Sequence, residues 1–140
     1  MLQAWLERLL DLRSPGYDIG RAGEAAAARE LHRQGYSVVA RNWRHQHDEI
    51  DLVCRDGAVL VFVEVKTRAD HAKVGGYAAV DRRKRRAIRR VAHAYLALLK
   101  ETPRTFRFDV VEVEHREGTV TAVRHFENVP LFSKWDHRER

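Results

Sequence analysis

Cysteine is nearly absent. The 140-residue chain has one, Cys54, so no internal disulfide can staple the fold. A lone cysteine fits a reducing compartment. Long apolar runs are also missing, and no stretch approaches the ~20 residues of a membrane-spanning helix. Near the N-terminus, Glu7, Arg8 and Asp11 interrupt the apolar residues, and no basic segment precedes them. That segment is therefore read as an amphipathic helix rather than a signal peptide, with Leu2, Trp5, Leu6 and Leu9 on one face. The expectation is a cytoplasmic protein that does not enter membranes. Acidic residues are in deficit, 20 Asp and Glu against 26 Lys and Arg, giving a net charge of +6. This excess implies a polyanionic partner, because clustered Lys and Arg displace counterions from phosphates.

What is present reads as one α/β domain, with 44% hydrophobic residues and no repeats or low-complexity linkers. Three parts are expected: residues 1–16 as the N-terminal helix and a turn at Ser14-Pro15-Gly16, residues 17–132 as the α/β domain, and 133–140 as a charged tail. Within the domain, the alanine run Ala25–Ala28 predicts a helix from about Gly20 to Gln34, stopped by Gly35. Strands are predicted at Tyr36–Trp43, Glu49–Cys54 and Val59–Val65, with a hairpin at Asp56-Gly57. Thr67–Ala79 is polar and reads as a loop. A long helix follows from about Asp81 to Lys100, with Ile88, Val91, Ala92, Tyr95, Leu98 and Leu99 as its apolar stripe. Two more strands, Thr105–Val113 and Thr119–Glu127, turn at Glu117-Gly118. The order predicts a mixed central sheet flanked by helices.

The third strand carries the anomaly. The run Val59-Leu60-Val61-Phe62-Val63 continues into Glu64-Val65-Lys66. Glu64 and Lys66 are two apart and share a face of the strand. Charges at the end of a covered strand are costly unless paired or liganded. In the second strand, Ile50, Leu52 and Cys54 are expected on one face, with Glu49, Asp51 and Val53 on the other. A two-residue hairpin loop sets Asp51 opposite Phe62; a longer loop sets it opposite Glu64. Either register puts Asp51 and Glu64 on one face. Crowded carboxylates repel, and magnesium or manganese is the natural remedy, with Asp51, Glu64 and Glu49 as ligands. Such an ion polarises a phosphodiester and lowers the pKa of a bound water. Lys66 then lies beside that water. Glu24, on the helix face that should pack on the sheet, is a further candidate, and Gly20 and Gly23 permit close approach beside it. The alternative is a set of structural ion pairs such as Glu64 with Lys66.

The long helix opens with Arg82, Arg83, Lys84, Arg85, Arg86, Arg89 and Arg90. A solvated face is the alternative, but like charges four apart weaken a helix, and a phosphate backbone relieves that. Arg82, Arg83, Lys84, Arg86, Arg89 and Arg90, with Arg68, are the candidate nucleic-acid contacts. Lys84 lies one turn before Ile88 and is expected to point toward the site. His45-x-His47-x-Glu49 reads as a polar loop, and Cys54 as a small core residue. Asp109, between Phe108 and Val110, is expected to hold a structural hydrogen bond.

In order, Gly23-Glu24, Gly35-Tyr36, Arg41-Asn42, Glu49-Ile50-Asp51-Leu52, Phe62-Val63-Glu64-Val65-Lys66-Thr67-Arg68, Lys84 and Arg107-Phe108-Asp109 resemble the YraN-like family of small bacterial proteins. That family resembles the restriction-endonuclease and Holliday-junction-resolvase superfamily in its core motif. The resemblance covers about residues 18–128. It implies a restriction-endonuclease-like αβββαβ core, with Asp51, Glu64 and Lys66 matching an acid…acid-x-lysine signature and Glu24 matching a helix acid. One position departs: Asp48 stands where the family usually has glycine, adding a negative charge near the site.

Three functions compete. The first is a magnesium-dependent nuclease acting on DNA, branched or single-stranded. The second is a nucleic-acid-binding module without catalysis. The third is an assembly protein that uses Trp5 to form a homodimer. Clustered acids that repel phosphate favour the first, since a pure binder has no use for them.

Overall fold

The computed structural model describes residues 15–71 and 81–132. The N-terminal amphipathic helix, most of the loop expected before residue 79 and the tail 133–140 lie outside the described residues.

Helix α1 spans Pro15–Arg33. Proline suits a first helical position, since its missing N–H has no partner there anyway. The expected turn at Pro15-Gly16 is therefore already helix. The alanine run sustains α1, and Gly35 ends it. At φ +94 that glycine takes a conformation that disfavours a Cβ. The Gly35 N–H donates to the His32 carbonyl and the Tyr36 N–H to the Leu31 carbonyl, both at 2.9 Å, which closes the helix end.

Strands β1 (Ser37–His45), β2 (Asp48–Asp56) and β3 (Val59–Ala69) form an antiparallel meander. Strand β3 continues through Thr67–Ala69, which the sequence had suggested was loop. Helix α2 (Arg82–Leu98) then crosses over to β4 (Phe106–Arg116), which pairs parallel with β3. Strand β5 (Thr119–Phe126) returns antiparallel through Glu117 and Gly118, both at positive φ. The five strands lie in sequence order, so the sheet is mixed, as expected.

The helices cover opposite faces. From α1, Ala26, Ala27, Ala28 and Leu31 pack on Leu52, Cys54, Val61, Val63, Val111 and Val113. From α2, Ile88, Val91, Ala92 and Leu96 pack on Ile50, Val53, Leu60, Phe62, Phe108 and Val110. Strand β3 is thus buried on both sides, which explains its near-continuous apolar run. Each fully buried Val, Leu or Phe here is worth about 1.5–3 kcal/mol.

Two details of the expected core change. Leu98 is 71% exposed, and Leu96, one turn after Ala92, takes the buried place. Ile50 belongs with Val53 on the α2 face, while Leu52 and Cys54 face α1. Strict alternation therefore slips at Asp51. Level with Asp51 on β1, Asn42 has φ 47 and sits between Arg41, paired with Leu52, and Trp43, paired with Ile50.

Candidate functional site

The β2–β3 register is the one that, continued, sets Asp51 against Glu64, but it is reached with a two-residue turn: Arg55 opposes Leu60 and Asp56 opposes Val59, so the turn is Gly57-Ala58 rather than the expected Asp56-Gly57. The pairing nevertheless ends at Leu52–Val63. Beyond it, Oδ2 of Asp51 accepts the Val65 N–H at 2.7 Å. The carboxylate thus takes the place of a backbone acceptor where the ladder stops.

Glu64 follows on β3 and is only 4% exposed. Its Oε1 lies 3.5 Å from Lys66 Nζ and 3.3 Å from Lys84 Nζ. Its Oε2 is buried without a hydrogen-bond partner, a costly condition for a carboxylate oxygen. Lys84 reaches Glu64 from the first turn of α2, on the inward side as its spacing implied. That turn is fixed by Asp81, whose Oδ1 accepts the Lys84 N–H at 2.9 Å.

Burial pushes the Asp51 carboxyl up to about 8, helped by the Glu64 and Glu24 carboxylates and opposed by the Val65 N–H. Burial and the neighbouring acids thus favour the neutral form of Asp51 over its anion. Glu24 approaches because α1 lies very close to β3. A Cβ built on Gly23 would sit 2.0 Å from Thr67 Oγ1. Only glycine permits that approach, whereas Gly20 faces open space.

Glu49 sits apart from the Asp51–Glu64 pair. The Asn42 amide donates to Glu24 Oε2 at 3.1 Å and to Glu49 Oε1 at 3.0 Å, and Glu49 Oε2 lies 3.0 Å from an Arg44 nitrogen. Asn42 is therefore a bridge between two of the site's acids. Its place in the Arg41-Asn42 motif was the available signal, and residue type alone did not single it out. Among the described residues no three His, Cys, Asp or Glu side chains form a ready ligand cage.

The basic residues divide. Arg68 reaches across to β4, to the nearly buried Glu112 (2.6 Å from Nε) and to Glu114 (3.0 Å), an ion-pair group that Arg124 joins. It neutralises a buried acid, so its guanidinium is already engaged within the fold. Arg90 binds Asp48 through two hydrogen bonds of 3.0 and 3.1 Å. This pairing holds the Asp48 carboxyl below its ordinary value and cancels the charge that departs from the family pattern. Arg82, Arg83 and Arg86 are exposed, and Arg89 is half-buried.

Asp109 is fully buried at the other end of the α1 face. It accepts from His125 Nε2 at 2.7 Å, Arg107 Nε at 3.0 Å and the Asn128 N–H at 2.9 Å. Burial alone would push its carboxyl up, but these donors more than offset burial and hold it low. Arg107 also donates to the Tyr36 hydroxyl and Tyr36 to Glu127. The group ties β4, β5 and the end of α1 together. Cys54 is fully buried, and burial pushes its thiol up to about 12, so it packs as a core residue.

Residues 23–113 match the family model described as Uncharacterised protein family UPF0102. The match contains Glu24, Asn42, Asp51, Glu64, Lys66, Lys84 and Asp109. A UPF0102 protein of Symbiobacterium thermophilum is 51% identical over 96 residues, covering 69% of this chain and 81% of its own. One of Nitratidesulfovibrio vulgaris is 44% identical over 102 residues, covering 73% and 76%. One of Chlorobaculum tepidum is 42% identical over 109 residues, covering 78% and 84%. The chain, with the YraN-like motifs seen in its sequence, belongs to the UPF0102 family.

Proposed function

We propose that the protein is a magnesium- or manganese-dependent nuclease on a restriction-endonuclease-like core, hydrolysing phosphodiester bonds in branched or single-stranded DNA. One observation carries this reading. Asp51 and Glu64 meet where the β2–β3 ladder stops, and Glu64 Oε2 lies buried with nothing to bond. Buried acids this close are unfavourable unless a proton or a cation lies between them.

The residues fit a divalent ion. Magnesium is commonly held by one or two carboxylates, with water and substrate phosphate completing its shell. Asp51 and Glu64 would be the direct ligands, which makes a third protein acid unnecessary. Glu24 and Glu49, linked by Asn42, would add negative potential and orient bound water. The ion, when bound, would supply a water of lowered pKa and polarise the phosphate. Lys66 shares the strand face of Glu64, so its ammonium would stabilise charge growing on the phosphate during attack. Lys84 would hold Glu64 in place and help to anchor the scissile phosphate.

A second reading is a nucleic-acid-binding module without catalysis. It is favoured by the two lysines that already neutralise Glu64 Oε1. Titration calorimetry with magnesium and manganese separates the readings. The nuclease reading expects binding that strengthens as pH rises through about 8, because the ion must displace the proton held by Asp51. It expects that binding to be lost in Asp51→Asn. Equal binding by both proteins would remove Asp51 as a ligand.

A further inference from the structure

A hollow of about 580 Å³ lies between α2 and the turn that joins β1 to β2. Arg86, Arg89, Arg90 and His93 line it from the helix, and His45 and Asp48 from the turn. Among the described residues, three guanidinium groups line this concavity and Asp48 is the carboxylate beside them. The turn is held firmly. His45 pairs with Asp48 across it, and the His45 ring lies nearly parallel to Trp43, with centroids 6.2 Å apart. Trp43 packs in turn on Tyr95 of α2. Both walls are therefore anchored to the core.

We infer that this hollow is a binding site for phosphate groups of a nucleic-acid strand, and that Asp48 sets its strength by holding Arg90. The chemistry is direct. Convergent guanidinium groups suit phosphate, because they offer forked, charge-assisted donors. Asp48 competes for one of them. Its two hydrogen bonds occupy Nε and one terminal nitrogen of Arg90, the edge that would otherwise grip a phosphate. An incoming phosphate must displace Asp48 to take the forked edge of Arg90. The choice of a nucleic acid as the source of the phosphate rests on the function proposed above. The anion chemistry stands without it.

Asp48→Asn is the informative variant, because it predicts a gain that partial unfolding cannot imitate. Binding of a short fluorescein-labelled single strand is followed by anisotropy in EDTA, so that the acid site carries no metal. Releasing Arg90 should tighten binding about 3- to 10-fold and steepen the slope of log K against log salt by about 0.7, one more phosphate contact. Arg89→Gln should weaken binding and flatten the slope. The readout is strand affinity in EDTA, with no cleavage step, so a failed nuclease reading leaves this result intact. Displacement of the probe by unlabelled strand should far exceed displacement by inorganic pyrophosphate. Equal displacement would assign the hollow to free phosphates and overturn the strand. Unchanged affinity and slope in Asp48→Asn would overturn the site itself.

Discussion

Replacing Asp51 with asparagine should stabilise the metal-free protein, and the gain should grow with pH. Burial and the neighbouring acids raise the Asp51 carboxyl from 3.8 to about 8. Between these values the folded state holds a proton that the unfolded chain has released. Wild-type stability therefore falls as pH rises from about 4 to about 8 on account of this group. At ~1.36 kcal/mol per pH unit, the interval from the unfolded value to pH 7 sets a ceiling of roughly 4 kcal/mol. Sharing of the proton with Glu64 and access of water to the cleft reduce that, so a gain of about 1–3 kcal/mol is expected near neutral pH. Asparagine keeps an oxygen for the Val65 N–H and can donate its amide to Glu64. Urea unfolding in EDTA at several pH values from 4.5 to 8.5, roughly the interval between the two pKa values, measures the difference directly. Added magnesium should stabilise the wild type and leave the variant unchanged. A variant less stable than wild type at neutral pH, or a difference that does not change with pH, would refute the reasoning.

Gly23→Ala should destabilise by about 2–4 kcal/mol, because its Cβ meets Thr67 Oγ1 at 2.0 Å. Adding Thr67→Ala should recover part of that loss, since the nearest remaining atom would be a Cβ at 3.1 Å; urea melts of both variants check it. Asp109→Asn should cost about 3–5 kcal/mol, because it leaves Arg107 and His125 facing a neutral partner in a buried place. Since the Asp109 carboxyl is held low, its contribution persists above the ordinary aspartate value and fades only as pH falls below it. Acid titration of wild type against this variant should show the two stabilities converging at low pH.

Much of this architecture was legible in the chain. The continuous apolar run of β3 announced a strand covered on both faces, and the spacing of Ile88, Val91 and Ala92 announced α2. Glycines at 35 and 118 fixed where α1 ends and where β4 turns. That Asp51 and Glu64 would come close was expected in either register, though their direct pairing was not. The phase slip at Asp51 was not legible, since the residue types of Glu49–Leu52 alternate without a break and carry no mark of it. Leu96 and Leu98 both sit near the apolar stripe, and only the packing of α2 on the sheet chooses between them. Arginine is equally ambiguous in a sequence. Arg68 and Arg90 read like their neighbours, but their partners Glu112 and Asp48 are distant in the chain. Asp109 stood out as a charge in an apolar strand, and its three donors account for it.

The central claim is that Glu64 and Lys66 carry phosphodiester chemistry. The most direct test is cleavage by wild type and by Lys66→Met, across linear, single-stranded, flap and four-way DNA, with magnesium or manganese. Methionine keeps much of the apolar stem and removes the ammonium. The account predicts that wild type cuts at least one of these substrates. It predicts that Lys66→Met binds the same DNA and metal yet cuts slower by roughly two orders of magnitude. Equal cutting by the two proteins would contradict it, and so would a wild type that cuts none of the substrates with either metal.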